Sequence, residues 1–491
     1  MAADPSGFVY FFTVVMFLLG GGEGDLLDYV STEGYWQAKS VQVSPAAMLK
    51  ELGPPGAAPD FKRQIDNLGS DFDKVRQMSA AQIAAAGAAA LEQLEVAAQS
   101  SNAVQAAEAR RLIEQIKAAG QAGPVRKLMA IRTLGEMRHR VALPALNELA
   151  GSATPFVGAY ARRAIAAMDG AAPKPDEQLA AKLESDLAVL PASSGMVAQY
   201  RPGALRHLSL KELAKYGGRR LPQDPEVRRQ KIELKLIDIA ERVGNARLDG
   251  ITLSLSDDLA NRSGHVVIIG RGQFDMELVR AFARAGRLTE SRVGNLDVFR
   301  SNGQEGAVIV PSNQCMVFVA GIDRPNAAPI DELIAAVQAG KGKIGENKEM
   351  AAMIQAADKS GPIWGVTKVS EGYRGLFPGG VLTGVESGVL SSTVKDGKVQ
   401  LALRAKAKDA DSAKAAMAAF GALWQQFLAE GQREAAREPG LTPLIDALRG
   451  ITYKADGDSL HADAQTADLM PGRFMLPIFL IEIAHELGLR D

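Results

Sequence analysis

The sequence predicts an α+β protein, with a helical segment towards the N-terminus followed by antiparallel sheets with packed helices. Between Phe61 and Ala119 the chain is rich in alanine, and apolar residues recur at the three- and four-residue spacing of helices. Beyond Gly244, alternating and β-branched segments such as ARLDGITLSLS and GHVVIIGRGQF predict strands. Because the two periodicities occupy separate parts of the chain, they favour the α+β class over alternating βαβ units.

The strand-rich region divides into two stretches whose predicted elements agree only loosely. The first has helices between its strands at Asp275–Ala285 and Ile330–Ala339. The second has hairpins with turns at Asp396-Gly397 and at Asp456-Gly457-Asp458. A duplicated α/β unit is one interpretation, and whether the two stretches form one sheet or two domains stays open.

Composition excludes some classes of partner. The 491 residues contain 56 Lys and Arg against 57 Asp and Glu, so the molecule as a whole is not expected to attract nucleic acid. Aromatic residues make up only 5% of the chain, which leaves few platforms for base stacking. We therefore expect no nucleic-acid partner.

The N-terminal run Phe8–Leu19 is apolar throughout. As a helix it is too short to cross about 30 Å of hydrocarbon, but its length suits the core of a signal peptide. Against that, the preceding residues carry Asp4 and no Lys or Arg. An export signal, a buried strand or core helix, and an interfacial anchor for peripheral membrane association are the alternatives. An export signal would place the protein in the periplasm or envelope, and a cytoplasmic location stays open.

The segment Val125–Met137 has the pattern of an amphipathic helix, with Leu128, Ile131 and Leu134 on one face. A short turn leads to a second helical segment at Val141–Gly151, and a third begins at residue 154. Such short helices cannot bury their apolar faces alone, so neighbours must stack on them.

Leu134-Gly135 at the end of the first segment and Ala142–Leu146 at the start of the second resemble the HEAT repeat. The resemblance covers residues 125–170. In this segment the chain is similar to exported bacterial HEAT-repeat proteins. It implies an interaction surface and no reaction, since a fold does not fix function. The polar residues that this surface would present are Arg132, Arg138, His139, Arg140, Arg162 and Arg163.

These patterns together predict six parts of the chain. They are an apolar leader (1–24), a short α/β lead-in (25–60), a helical HEAT-like domain (61–170), a linker (171–184), and two α+β halves (185–345 and 346–491).

Motifs that carry chemistry are missing from the sequence. None of the five histidines pairs with another at metal-ligand spacing, and His485-Glu486 stops short of H-E-x-x-H because Leu489 follows. The single cysteine, Cys315, lies in an apolar run, which predicts a buried structural thiol. Gly270-Arg271-Gly272 lacks the third glycine of a dinucleotide loop and indicates a strand end. We expect no catalytic, cofactor-binding or metal-binding residues.

Three hypotheses for function remain. The first is a non-enzymatic protein-binding or scaffolding protein of the bacterial cell envelope. The second is a carrier or sensor that holds an apolar ligand in the C-terminal α+β region. The third is an enzyme whose site is assembled from distant residues. A closed apolar cavity would favour the carrier, whereas a cleft with convergent carboxylates, Arg and His would favour the enzyme.

Overall fold

The structure, a computed structural model, describes residues 26–52, 61–70, 72–86, 90–98, 100, 102–118, 122–152, 156–170, 179–201, 210–213, 224–243, 245–257, 264–276, 279–280, 283, 288–301, 306–321, 329–376, 380–395, 398–437 and 442–466. These fall into two compact units. The helical unit lies within 30–174 and 237–245, and the sheet unit lies within 26–29, 175–236 and 246–491.

The helical unit is built from short helices. Its described helices are α1 (Thr32–Ala38), α2 (Pro45–Leu52), α3 (Lys62–Asn67), α4 (Asp73–Ala86), α5 (Leu91–Ala97), α6 (Ala103–Ala118), α7 (Ala122–Glu136), α8 (Leu143–Ala150) and α9 (Val157–Met168). Side-chain caps begin several of them. The Gly34 amide donates to Ser31 Oγ (3.0 Å), and the Val104 amide donates to Asn102 Oδ1 (3.0 Å).

The lead-in differs from its prediction. The predicted α/β lead-in (25–60) has no strand within its described residues 26–52, and its segment KSVQVS (39–44) forms a turn followed by irregular chain. An isolated strand leaves its backbone groups unpaired, and the described part of the helical unit contains no strand that could pair with it.

Helices α7 and α9 cross at Gly135. A Cβ atom at this position would lie 2.7 Å from Ala164 Cα, so only glycine permits this approach. The predicted apolar face of α7 is confirmed, because Leu128, Ile131 and Leu134 are buried. Helix α9 therefore packs on both α7 and α8.

Two aromatic residues of α1 tie the helical unit together. The Trp36 indole N–H donates to Thr133 Oγ1 (2.8 Å), and the Tyr35 hydroxyl donates to Glu241 Oε1 (2.9 Å). Burial, followed by the nearby Glu241 carboxylate, raises the pKa of Tyr35 above its ordinary value, so the phenol stays protonated. These bonds attach α1 to α7 and to residues 237–245.

The sheet unit contains a long antiparallel sheet with helices, which confirms the α+β class. Its strands are β1 (Ser194–Tyr200), β2 (Ala246–Ser256), β3 (His265–Phe274), β4 (Thr289–Val293), β5 (Leu296–Arg300), β6 (Gly306–Ser312), β7 (Cys315–Gly321), β8 (Ile363–Lys368), β9 (Val385–Lys395), β10 (Lys398–Ala407), β11 (Thr452–Asp456) and β12 (Ser459–Thr466). The described helices are α10 (Leu179–Ala188), α11 (Leu210–Leu213), α12 (Pro225–Val243, ending in the helical unit), α13 (Ile330–Ala339), α14 (Lys348–Ala356), α15 (Glu371–Leu376), α16 (Ala410–Arg437) and α17 (Thr442–Arg449).

All twelve strands form one sheet, in the order β11-β12-β10-β9-β8-β1-β2-β3-β7-β6-β5-β4. Each half starts at the centre, where β1 pairs with β8. In each half the first three strands follow one another from the centre outwards. The chain then crosses to the outer edge of the sheet, and the remaining strands return inwards until the last of them pairs with the third. A helix precedes the central strand in each half, α10 in one and α14 in the other. The two α+β halves thus add their strands to the sheet in the same order.

The two faces of the sheet carry different helices. Helices α10, α13 and α14 contact the face that we call the α10 face, where Val197, Val267 and Trp364 belong to one apolar core. Helix α16 lies against the opposite face, called here the α16 face, and contacts β9, β10, β11 and β12. A second, smaller core joins Ala413 and Ala416 of α16 to this sheet face.

A buried polar network crosses the centre of the α10 face. The Trp364 indole donates to Gln199 Oε1 (3.0 Å), and Gln199 Nε2 donates to Thr252 Oγ1 (3.0 Å) and to the Leu183 carbonyl (2.7 Å). These bonds join β8, β1 and β2 to α10. Since buried polar groups without partners are costly, the network specifies how the strands align.

Asp186 of α10 is fully buried beside this network. Arg271 Nε donates to its Oδ1 (2.8 Å), while Oδ2 has no hydrogen-bond partner. Burial raises the pKa of Asp186 to about 6, although Arg271 opposes the shift.

Two predicted segments fall wholly or largely outside the described residues. They are the apolar run Phe8–Leu19 and most of the helix predicted at Asp275–Ala285. Of the predicted linker, 171–178 is also outside, and α10 begins at Leu179. Within the described residues, no helix has the length and apolarity needed to span a bilayer.

Gly135→Ala should destabilise the protein by about 1–2 kcal/mol. The new methyl group would overlap the Ala164 backbone, which outweighs the gain in helix propensity of about 1 kcal/mol. Calorimetry of the full chain measures the effect. Gly151→Ala, where the added Cβ meets only an ordinary 3.6 Å contact, is the matched control. Equal unfolding temperatures for the two variants would contradict the crossing.

Asp186 should make part of the stability depend on pH. Its folded-state pKa, about 6, lies above the ordinary 3.8, so the folded protein holds this proton more tightly than the unfolded chain. The contribution is full below about pH 4 and lost as pH rises through 6, a change of roughly 3 kcal/mol.

Urea unfolding of wild type and of Asp186→Asn between pH 4 and 7.5 tests this expectation. The difference between their free energies of unfolding should change over this range, because the amide does not titrate. Glu184→Gln changes an exposed side chain on the same helix. Its free energy of unfolding should follow the same pH dependence as that of the wild type. A parallel curve for Asp186→Asn instead would show that the carboxyl does not titrate there.

Candidate functional site

Three of the six residues predicted to form an interaction surface have structural roles. Arg132 donates to the Val30 carbonyl (2.9 Å) and to Glu136 Oε1 (2.8 Å). Arg162 donates to the Ala150 carbonyl (2.6 Å) near the end of α8. Arg163 lies over the Tyr160 ring, with 4.7 Å to its centroid. These contacts stabilise the packing of helices.

The structure brings the other three together in the turn between α7 and α8. Arg138 and Arg140 are exposed there and His139 is half-buried. Two apolar side chains flank them, Met137 at 39% exposure and Val141 at 71%. Arginine, methionine and exposed aliphatic groups in one patch are typical of protein interfaces. Arg138, His139 and Arg140 thus lie in a surface turn, while Arg162 and Arg163 of α9 contact neighbouring groups of the helical unit.

The described residues give little support to an enzymatic site. Ser193 Oγ and His265 Nε2 lie 3.5 Å apart, longer than an activated nucleophile and its base require. Among the residues described, no group of His, Cys, Asp or Glu could hold a metal ion. Burial raises the pKa of the Cys315 thiol to about 12, which confirms the structural role predicted for it.

The concave site of the sheet unit lies beneath α16. This helix begins after Asp409, whose carboxylate accepts from the Ser412 amide (2.7 Å), and it touches the sheet first through the buried Ala413 and Ala416. Alanine allows close approach but fills little space. Further along the helix, the larger side chains of Met417, Phe420 and Trp424 are only partly buried.

The result is an apolar cavity of about 90 Å³ between α16 and the sheet. Its walls come from three places: the segment before β9, the alternating residues of β10 and β12, and the underside of α16. The lining residues are Val381, Leu382, Val385, Leu403, Ala405, Ala416, Met417, Phe420, Leu460, His461 and Ala462. Almost all of these are aliphatic or aromatic.

The cavity opens to solvent past Leu403, which lines it and is 43% exposed. Val394 is on the same sheet face and is 49% exposed. An aromatic series continues along α16, where Phe420 stacks on Trp424 (5.8 Å between centroids) and Trp424 on Phe427 (5.5 Å). The mouth is therefore apolar and accessible.

The sequence patterns alone do not predict this cavity. Two signals were present: the alternation in LALRAKA of β10, which places Leu403 and Ala405 on one face, and the helical spacing of Phe420, Trp424 and Phe427. Neither signal shows that the two surfaces meet and leave a gap, because that depends on how closely the alanines of α16 approach the sheet.

Comparisons with known proteins add little. No family model matches the sequence, and no curated protein matches it. Among solved structures, crystal form I of TP0453 is 12% identical with a TM-score of 0.31, covering 60% of this chain and 96% of that chain. Crystal form III is 10% identical with a TM-score of 0.33, covering 60% and 97%. Similarity at this level carries no functional argument.

Proposed function

We propose that the protein binds an apolar ligand, as a carrier or sensor, in the cavity between α16 and strands β9, β10 and β12. The observation that supports this is an almost wholly apolar cavity with an accessible apolar mouth at Leu403. Ligand sites are concave and mostly apolar, and a cavity without polar partners does not retain water well.

The size of the cavity limits what it holds. A volume of about 90 Å³ accommodates a short aliphatic group or a branched side chain, and a longer chain would extend past the exposed Leu403. Burying about four methylene groups contributes on the order of 3 kcal/mol. A small alcohol is therefore expected to bind with a Kd on the order of several mM.

Protein binding is the second candidate function, as a scaffold of the bacterial cell envelope with a HEAT-like helical unit. The turn at Met137–Val141 supports it, because it exposes two arginines that are flanked by two exposed apolar side chains. The envelope location and peripheral membrane association depend on Phe8–Leu19 and stay expectations.

Ala405→Leu should weaken ligand binding at least tenfold, because the larger side chain fills the cavity. The probe is 1-hexanol, and binding is measured from the NMR shift of the Met417 methyl group during titration. Ala402→Leu is the matched control, since it adds the same atoms on the opposite face of β10. Ala462→Leu, in the cavity wall, should act like Ala405→Leu.

Unchanged 1-hexanol binding in Ala405→Leu and Ala462→Leu, with the fold intact by circular dichroism, would overturn the cavity proposal. The same holds if the Met417 methyl does not respond to 1-hexanol in the wild type.

Val141→Glu should remove a protein partner that copurifies from the native source at fixed stoichiometry. The new carboxylate would replace one of the two exposed apolar side chains of the turn. Native mass spectrometry measures the complex. Asn147→Glu, which changes an exposed residue of α8, is the control. Retention of the partner by Val141→Glu would assign the contact to another surface.

A further inference from the structure

We infer that the α10 face of the outer strands β10, β12 and β11 binds an acidic surface of a partner protein. This surface, called here the basic sheet face, goes beyond the proposed ligand site, which lies on the other side of the same strands. On β10 the two sites use alternate residues, because Leu403 and Ala405 line the cavity while Arg404 and Lys406 lie on the basic sheet face. His461 of β12 borders both sites.

Register places the basic side chains side by side. Arg404 of β10 is opposite His461 of β12, and His461 is opposite Lys454 of β11. Directly opposite residues have Cβ atoms about 5 Å apart, so these three form a row across the sheet. Lys406 lies two residues beyond Arg404 on the same strand, about 7 Å along it.

The charge of this face is not neutralised internally. Asp463 accepts from Arg404 Nη2 (2.6 Å), which uses one acid and one base. Lys406 and Lys454 are both exposed, and neither forms an ion pair with a described residue. The other exposed acid of the face is Asp456. Lys395, at the end of β9, adds a further exposed base.

The face is also left uncovered by the described helices. Helix α16 contacts β10, β12 and β11 from the α16 face, and α17 packs on α16 through Ile445 and Leu448. On the α10 side, α14 packs mainly on the central strands β8 and β1. Elsewhere on that side the helices bury an extensive apolar core, whereas here the exposed residues are polar.

Chemistry favours a protein as the partner. The face has no aromatic side chain on which bases could stack. It also has no large apolar side chain to enter a bilayer, which charge attraction to a membrane normally accompanies. Serine, glutamine and threonine around the lysines suit a wet, polar protein interface, and carboxylates would match the exposed ammonium groups of Lys406 and Lys454.

The double variant Lys406→Glu/Lys454→Glu tests the inference on the full chain. The probe is a fluorescein-labelled decapeptide of glutamate, followed by fluorescence anisotropy at 50 mM NaCl. We expect its affinity to fall at least tenfold in the double variant, and the wild-type affinity to fall when NaCl is raised to 200 mM. Lys341→Glu/Lys348→Glu makes the same change in net charge on two exposed lysines elsewhere, and should keep affinity within twofold.

Equal loss in both double variants would show attraction by net charge alone and overturn the inference. So would tighter binding of a 20-base-pair DNA duplex, or of phosphatidylserine vesicles, than of the peptide at the same salt concentration. The Lys406→Glu/Lys454→Glu variant should still bind 1-hexanol like the wild type, which separates this surface from the cavity.

Discussion

The antiparallel pairing of β1 with β8 is the contact on which the sheet unit depends. Met196–Tyr200 pairs with Ile363–Thr367, and this pairing joins two halves that would otherwise form separate sheets. Without it, each half would present an unpaired central edge, which promotes aggregation. The hydrogen bond from Trp364 to Gln199 is in register with this pairing, so a shifted register would leave two buried polar groups without partners.

Much of the architecture could be predicted from the sequence, because it depends on local patterns. The apolar face of α7 and the hairpin at Gly457, whose φ is 57°, follow from helical spacing and turn chemistry. The α+β class follows from where the two periodicities lie. The single sheet did not follow, because the pairing of β1 with β8 joins residues far apart in the sequence.

The candidate site was harder to predict for the same reason. The arginines at 132, 162 and 163 look exposed in a helical pattern, but their guanidinium groups contact carbonyls, a carboxylate and an aromatic ring. The cavity beneath α16 depends on packing that no single segment encodes. Likewise, Asp186 lies among polar residues in the sequence, and only the structure shows that a core surrounds it.

The alternation of β10 limits which changes of sequence this strand can accept. Leu403 and Ala405 line a cavity while Arg404 and Lys406 lie on the opposite face. Inserting or deleting one residue within this strand would exchange the two sets, moving a guanidinium into the apolar space and a leucine to the charged side. Point substitutions can therefore alter either face alone, whereas length changes within β10 would be tolerated only in multiples of two.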